Sequence, residues 1–92
     1  MKREEVYKAI DSERDYQDSK WGDVNDPDYV SYEPAQFLID IELHLARAKQ
    51  ANYNIDKEET LNELRKIAAL AVKCGEVHGM NAREMEYDVP GF

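Results

Sequence analysis

The chain has 92 residues, of which 42% are apolar and 35% charged, and its formal net charge is -8. This length accommodates one domain, and the composition is typical of a folded protein rather than a disordered one. The negative average surface disfavours binding to duplex nucleic acid or to an anionic membrane. The single cysteine, Cys74, excludes an intrachain disulfide, and no segment has the length and apolarity of a signal core or a membrane span. We therefore expect one cytoplasmic domain spanning residues 1–92, with Cys74 buried and inert.

The first predicted helix runs from about Lys2 to Ser19 and precedes the turn-forming stretch KWGDVNDPDY. In helical register, its inward stripe reads Val6, Ile10, Glu13, Gln17 and Trp21. A carboxylate and an amide thus replace apolar residues in the middle of the stripe. Either group costs a few kcal/mol when it is buried without a partner, so this face should have a polar partner or be partly solvated.

The second predicted helix starts after Ser31, a suitable N-cap, has Pro34 in its first turn, and continues to about Ala51. One broad apolar face comprises Phe37, Leu38, Ile41, Leu45 and Ala48, and a second comprises Ile39, Leu43 and Ala46. A helix packed on one neighbour needs only one apolar stripe. The second face therefore predicts another partner, either the C-terminal segment or a second subunit.

The third predicted helix is capped by Asp56 with Glu59 or by Thr60 with Glu63, and it stops at Gly79. Small residues at helical spacing favour close packing of another helix, namely Ala68, Ala71 and Gly75. Beyond it, apolar residues in the tail should dock on the helices, namely Met85, Tyr87, Val89 and Phe92. We predict an all-α fold, a three-helix bundle with a short C-terminal segment, oligomeric through helices two and three.

The sequence contains no glycine-rich phosphate loop, no cysteine pair for zinc, and no nucleophile beside an evident base. We interpret His44 as a helix-face residue and His78 as a partner of its helix dipole. Glu13, Glu42 and Glu76 come from three helices, and carboxylates at a bundle centre can hold Mg²⁺ beside phosphates. Each of the three can equally point to water.

Cations and aromatic side chains provide the other components of a nucleotide site. The cations able to meet phosphates are Arg14, Lys20, Arg47, Arg65 and Lys66, and the aromatic residues able to stack on a base are Tyr7, Tyr16 and Trp21. Alternatively, Arg47 and Arg65 make surface ion pairs with Glu59 or Glu63, and Trp21 closes the end of the bundle.

Three stretches, ERDYQDSKWG (13–22), FLIDIELHLARA (37–48) and LRKIAALAVKCGEVHG (64–79), resemble small phage-encoded MazG-like proteins and cover roughly two-fifths of the chain. The resemblance implies a single all-α MazG-like domain related to nucleoside triphosphate pyrophosphohydrolases, which associate and hold Mg²⁺ with E-x-x-E and E-x-x-D pairs. In this chain the stretch most similar to E-x-x-E is DIE, which ends at Glu42. The stretch most similar to E-x-x-D is ELRK, which starts at Glu63 but has Lys66 where the motif requires an aspartate.

Our leading hypothesis is that the protein binds a nucleotide-derived small molecule, without turnover and without a cofactor, in a pocket between helices of a homo-oligomer. The predicted ligand-binding residues are Glu13, Arg14, Gln17, Lys20, Trp21, Arg47 and Arg65. If the chain is phage-encoded, it acts in the host cytoplasm, where such a pocket could sequester a defence signal. No residue is assigned a catalytic role.

Two alternatives belong to other functional classes. The first is a Mg²⁺-dependent nucleoside triphosphate pyrophosphohydrolase, in which Glu13, Glu42 and Glu76 hold the metal. The second is an acidic interaction module that binds a host protein. Its surface would comprise Asp11, Asp15, Asp18, Asp23, Asp26 and Asp28.

Overall fold

The computed structural model describes residues 1–84, which form three α-helices and no strand. These are α1 (Arg3–Trp21), α2 (Pro34–Tyr53) and α3 (Lys57–His78). The predicted all-α fold with three packed helices is confirmed. The tail residues predicted to dock on the helices, Met85, Tyr87, Val89 and Phe92, lie outside the described residues.

Helix α1 extends to Trp21, two residues beyond its predicted end, and Gly22 terminates it. Gly22 adopts a φ of 100° and donates its backbone N–H to the Asp18 carbonyl at 3.0 Å. A residue with a side chain rarely takes this conformation, so the helix stops at the first glycine.

Helix α2 is capped by Glu33, and the Ser31 cap predicted from the sequence is wrong. The Glu33 carboxylate accepts from the Gln36 backbone N–H, while the Gln36 side chain accepts from the Glu33 N–H at 2.7 Å. This reciprocal pair satisfies two backbone donors, which is more than a single serine hydroxyl offers. Pro34 occupies the first turn as predicted, because its missing N–H costs nothing there.

Helix α3 forms the first of its two predicted caps. The Asp56 carboxylate accepts from the Glu59 N–H at 3.0 Å, and Thr60 lies inside the helix with its hydroxyl on the Asp56 carbonyl at 2.8 Å. Gly79 ends the helix as predicted, with a φ of 86° and its N–H on the Gly75 carbonyl at 2.8 Å.

Helix α3 is the centre of the fold. Residues 54–56 connect α2 to α3, and so short a link makes the two an antiparallel helical hairpin. The turn is closed by the Asp56 N–H, which donates to the Ala51 carbonyl at 2.9 Å. Helix α1 packs on α3 as well, and within residues 1–84 it does not pack on α2. The two outer helices are therefore separated by a cleft whose floor is α3.

The apolar core is small and lies between α2 and α3. It consists of Phe37, Ala48, Ala51 and Ala69. The Phe37 ring packs edge-on against Tyr32, with centroids 5.7 Å apart, and against His78 at 6.3 Å. Ala69, on α3, is fully buried.

Several residues predicted to face inward do not. On α2 only Phe37 and Ala48 of the predicted broad face are buried, whereas Leu38 is 61% exposed and Leu45 is also exposed. On α3 the predicted small residues Ala68, Ala71 and Gly75 are half-buried, as is Cys74. The reason is that α3 covers a narrower strip of α2 than the apolar pattern suggests, and nothing else in residues 1–84 covers the remainder.

Candidate ligand-binding cleft

The space between α1 and α2 is a cleft of about 530 Å³, within the usual size of small-molecule sites. All three helices and the 22–33 connection line it. The lining residues are Glu13, Tyr16, Gln17, Lys20 and Trp21 from α1, Tyr29, Val30 and Tyr32 from the connection, Phe37, Asp40, Leu43, His44 and Arg47 from α2, and Lys66, Leu70 and Lys73 from α3.

The polar residues in the stripe of α1 are buried, and Glu13 has its partner on α3 whereas Gln17 has its partner within α1. The Glu13 carboxylate accepts from Arg65 Nε at 2.8 Å, and Gln17 Oε1 accepts from Arg14 at 3.2 Å. The amide nitrogen of Gln17 has no acceptor among residues 1–84, and the residue lines the cleft. The interrupted stripe thus docks α1 on α3 and leaves an amide donor facing a ligand-sized space.

Arg14 lies behind the cleft wall rather than in its lining. Its Nε donates to Glu76 Oε2 at 2.5 Å, and its Nη2 forms an ion pair with Asp18 Oδ1 at 3.0 Å. Burial alone would lower the pKa of Arg14, but the two carboxylates outweigh it and raise the pKa. This permanently charged side chain holds α1 to the C-terminal half of α3.

Arg65 also lies outside the main cleft. Besides its bond to Glu13, it donates to the Asn62 side chain at 2.9 Å, so the surface pairs predicted with Glu59 or Glu63 do not form. It lines a shallower neighbouring groove that shares Glu13, Tyr16 and Lys66 with the cleft; the groove's other residue is Ser12. The predicted ligand set is therefore split: Glu13, Gln17, Lys20, Trp21 and Arg47 meet in the cleft, whereas Arg14 and Arg65 support its wall.

Of the described residues, four cations line the cleft against two carboxylates, although the whole chain carries -8. Lys66 is paired with Glu63 at 3.2 Å, and Glu13 is neutralised by Arg65. Lys20, Arg47 and Lys73 have no carboxylate within 4.0 Å anywhere in residues 1–84. The cleft is thus a local basic site on an acidic protein, which attracts anions at short range.

Lys73 is a cleft residue that sequence reasoning missed. It is 6% exposed, and its ammonium lies 5.3 Å from the centroid of the Tyr29 ring. Burial, assisted by repulsion from Arg14, lowers the pKa of Lys73, although Asp18 and Glu76 act in the opposite direction. The available signal was its position as the only charge in the apolar run AALAVKCG, one turn after Ala69.

Aromatic rings cover several sides of the cleft. Tyr16 and Trp21 lie on the α1 wall, and the Lys20 ammonium sits 4.9 Å from the Trp21 ring centroid and 5.7 Å from that of Tyr16. Tyr29, Tyr32 and Phe37 also line the cleft but were not predicted. Tyr7, which was considered for stacking, is exposed and is not part of the lining.

His44 points toward α3 and contacts a buried carboxylate. Its Nδ1 lies 2.6 Å from Glu63 Oε2, while Glu63 Oε1 accepts from Lys66. Burial alone would raise the pKa of Glu63, but hydrogen bonds from His44 and Lys66 outweigh it and lower the pKa. His78 lies at the end of α3, where its Nε2 is 2.6 Å from the Tyr32 carbonyl and ties the 22–33 connection to that helix.

The carboxylates considered for Mg²⁺ are not grouped. Glu13 is held by Arg65 and Glu76 by Arg14, and Glu42 is exposed on α2. In the part of the chain that the structure describes, no three His, Cys, Asp or Glu side chains lie close enough together to hold a metal ion. The donor set present therefore does not fit the metal pattern that the MazG resemblance implies.

The acidic residues considered for protein binding are partly engaged within the fold. Asp18 is paired with Arg14, and Asp23 and Asp26 accept from backbone N–H groups two residues on, at 2.9 Å each. Asp11 and Asp15 are exposed on α1.

No known protein family, curated protein or solved structure matches this chain. Among the described helices, none combines the length and the apolar composition needed to cross a bilayer.

Proposed function

We propose that the protein binds a nucleotide-derived small molecule in the cleft between α1 and α2 and retains it without hydrolysis. The observation that carries this proposal is the concentration, in one ligand-sized space, of aromatic rings and of cations that have no carboxylate partner within residues 1–84. Lys20, Arg47 and Lys73 offer charge-assisted hydrogen bonds to phosphate oxygens, and Tyr16 and Trp21 offer faces for a base. A nucleotide combines both features, an anionic end and a flat aromatic end.

Retention without turnover is favoured by the state of the carboxylates. Glu13, Glu63 and Glu76 are each engaged by a cation of the fold, and within residues 1–84 no three His, Cys, Asp or Glu side chains lie close enough together to hold Mg²⁺ beside a phosphate. A protein that holds such a ligand lowers its free concentration. Sequestration of a signal in an infected host is one use of that property, and it stays a prediction from the resemblance.

Calorimetry with purified protein and a panel of nucleoside triphosphates, cyclic nucleotides and dinucleotides tests the proposal. We expect micromolar or tighter binding of at least one member, with affinity that weakens as salt rises because screened cations attract phosphate less. Arg47→Ala and Gln17→Ala should each weaken binding by about 1–3 kcal/mol. Lys49→Ala, a change at an exposed position on the same helix as Arg47, should leave the affinity unchanged. Absence of heat across the panel would refute binding, and release of pyrophosphate with Mg²⁺ would refute retention.

We also propose that the chain associates with a second copy through exposed apolar residues of α2 and α3. These are Leu38, Ile39, Leu43, Leu45, Leu61, Leu64 and Val72. An apolar helix face that is left uncovered gains stability when a second copy removes it from water, and a standard interface covers about 800 Å² per partner.

Light scattering at micromolar concentration tests the association. We expect a mass of at least two chains for the natural sequence and a single chain for Leu38→Glu with Ile39→Glu, because a charge at each position would be desolvated in the interface. The natural sequence running as one chain contradicts the proposal.

A further inference from the structure

Among residues 1–84, Asp40 is the carboxylate in the cleft lining that has no cation beside it. It is half-buried on α2, where it lines the cleft. The other carboxylate of the lining, Glu13, is neutralised by Arg65 at 2.8 Å. No Lys, Arg or His nitrogen in residues 1–84 lies within 4.0 Å of Asp40. A half-buried carboxylate is stabilised by hydrogen-bond donors, and a ligand in the cleft would supply them in place of water.

The position of Asp40 on α2 suits one end of a nucleoside. Asp40 and Arg47 are two helical turns apart on the cleft face of α2, about 10.5 Å along the axis. Phe37 precedes Asp40 by one turn, and His44 lies between Asp40 and Arg47. The α2 wall therefore presents an acceptor near one end and a cation at the other, at a separation comparable with that between a base edge and its 5′-phosphate.

The chemistry of a carboxylate distinguishes among the bases. An ionised carboxylate only accepts hydrogen bonds, and its two oxygens suit two adjacent donors. Guanine presents N1–H and the 2-amino group side by side on its Watson–Crick edge. Adenine and cytosine each place a lone pair beside their amino group, and uracil flanks its single N–H with two carbonyl oxygens, so each would set an acceptor against the carboxylate.

We infer that the cleft selects guanine nucleotides and that Asp40 accepts from N1–H and the 2-amino group while Arg47 meets phosphate. This inference rests on the proposed function, because it assigns the base specificity of the same site. The Tyr16 and Trp21 rings on the opposite wall contribute stacking, which every base can provide, so discrimination falls to Asp40.

Calorimetry with GTP, ITP, ATP, CTP and UTP tests the inference on the full chain. We expect GTP to bind roughly tenfold or more tightly than ATP, with ITP in between because hypoxanthine keeps N1–H but lacks the 2-amino group. Asp40→Asn should abolish the preference for GTP over ATP or reverse it, since an amide offers one donor and one acceptor and pairs well with adenine. Asp15→Asn, the same change at an exposed position on α1, should leave the preference unchanged.

The outcomes separate the two proposals. Binding of several nucleotides with equal affinity, or an unchanged GTP preference in Asp40→Asn, overturns the guanine inference and leaves the binding function standing. Failure of every nucleotide to bind overturns both. The comparison of GTP with ITP uses only the natural sequence, so it decides the matter even if Asp40→Asn does not fold.

Discussion

The two helices that pack on α3 do so by different chemistry. Helix α2 buries Phe37, Ala48 and Ala51, all apolar, whereas helix α1 buries Glu13, Arg14 and Gln17, all polar or charged. The α2 interface derives most of its stability from removal of apolar surface from water, and the contact of His44 with Glu63 adds one charged pair to it. The α1 interface depends on directional bonds between ionised groups. The α2–α3 hairpin is thus the stable frame, and α1 is the ion-dependent wall that completes the cleft.

The polar attachment of α1 also explains where the cleft is. Glu13 and Arg14 are adjacent on α1, yet their partners on α3, Arg65 and Glu76, are about 16 Å apart along that helix. The two ion pairs fix α1 on α3, and within residues 1–84 α1 does not pack on α2. Space for a ligand therefore stays open between the two outer helices.

The largest effect is expected at the apolar interface. Phe37→Ala should reduce the free energy of unfolding by about 3–5 kcal/mol, because the ring is 2% exposed and its removal leaves a cavity against Tyr32 and His78. Urea unfolding monitored by circular dichroism measures the loss, which should be the same at low and high salt. Tyr53→Ala is the matched control, since that ring is exposed. A loss below 1 kcal/mol would contradict the assignment of the core.

A smaller and salt-dependent loss is expected at the polar interface. Arg14→Met should reduce the free energy of unfolding by about 2–3 kcal/mol, because Glu76, Asp18 and Gln17 all lose their donor. The loss stays moderate since Glu76 and Asp18 are partly exposed and become hydrated. The difference should shrink in 1 M salt, unlike that of Phe37→Ala. Arg3→Met, at an exposed site, should change nothing.

Lys73 lies on α3 in the lining of the cleft, close enough to Arg14 for the two charges to repel each other. Burial and then Arg14 lower the pKa of Lys73, so its charge disfavours folding at neutral pH. The stability of the natural chain should therefore rise as pH increases from that lowered pKa toward 10.5, because the unfolded state binds more protons there. Lys73→Met should raise stability at pH 7, remove this pH dependence, and weaken nucleotide binding by about 1–3 kcal/mol.

Unfolding and calorimetry on Lys73→Met and on the control Lys49→Met separate the two effects. A variant that loses stability, or keeps full affinity, would show that Lys73 serves the fold and not the ligand.

The smallest expected effect is on how the free energy of unfolding declines at acidic pH. The hydrogen bonds of His44 and Lys66 outweigh burial and lower the pKa of Glu63 below its ordinary value of 4.5. The ionised carboxylate therefore contributes stability that is present above 4.5 and lost as pH falls through the lowered pKa. Urea unfolding between pH 7 and 3 should show a steeper decline for the natural chain than for Glu63→Gln. Glu58→Gln, at an exposed site, should follow the natural chain; parallel curves for Glu63→Gln would be inconsistent with this role.

Much of the cleft was predictable because helical periodicity is a local property. The spacing of Glu13, Gln17 and Trp21 placed them on one face of α1, and that face does line the cleft. Gly22, Pro34 and Gly79 likewise each marked one end of a helix to within about two residues. The Glu33 cap was missed because a carboxylate and Gln36 formed a reciprocal pair that a search for serine or threonine overlooks.

The sequence by itself determined three helices, their polar and apolar faces, and an acidic chain with cations at helical spacing. Only the tertiary structure decided that Arg14 turns to Glu76, that Arg65 reaches Glu13, and that Lys73 faces the cleft from within an apolar run. Periodicity reports which residues share a face, because neighbours three and four positions apart are fixed by the helix itself. It carries no information on which helix covers that face, since those partners lie 52 and 62 residues away and meet only after folding.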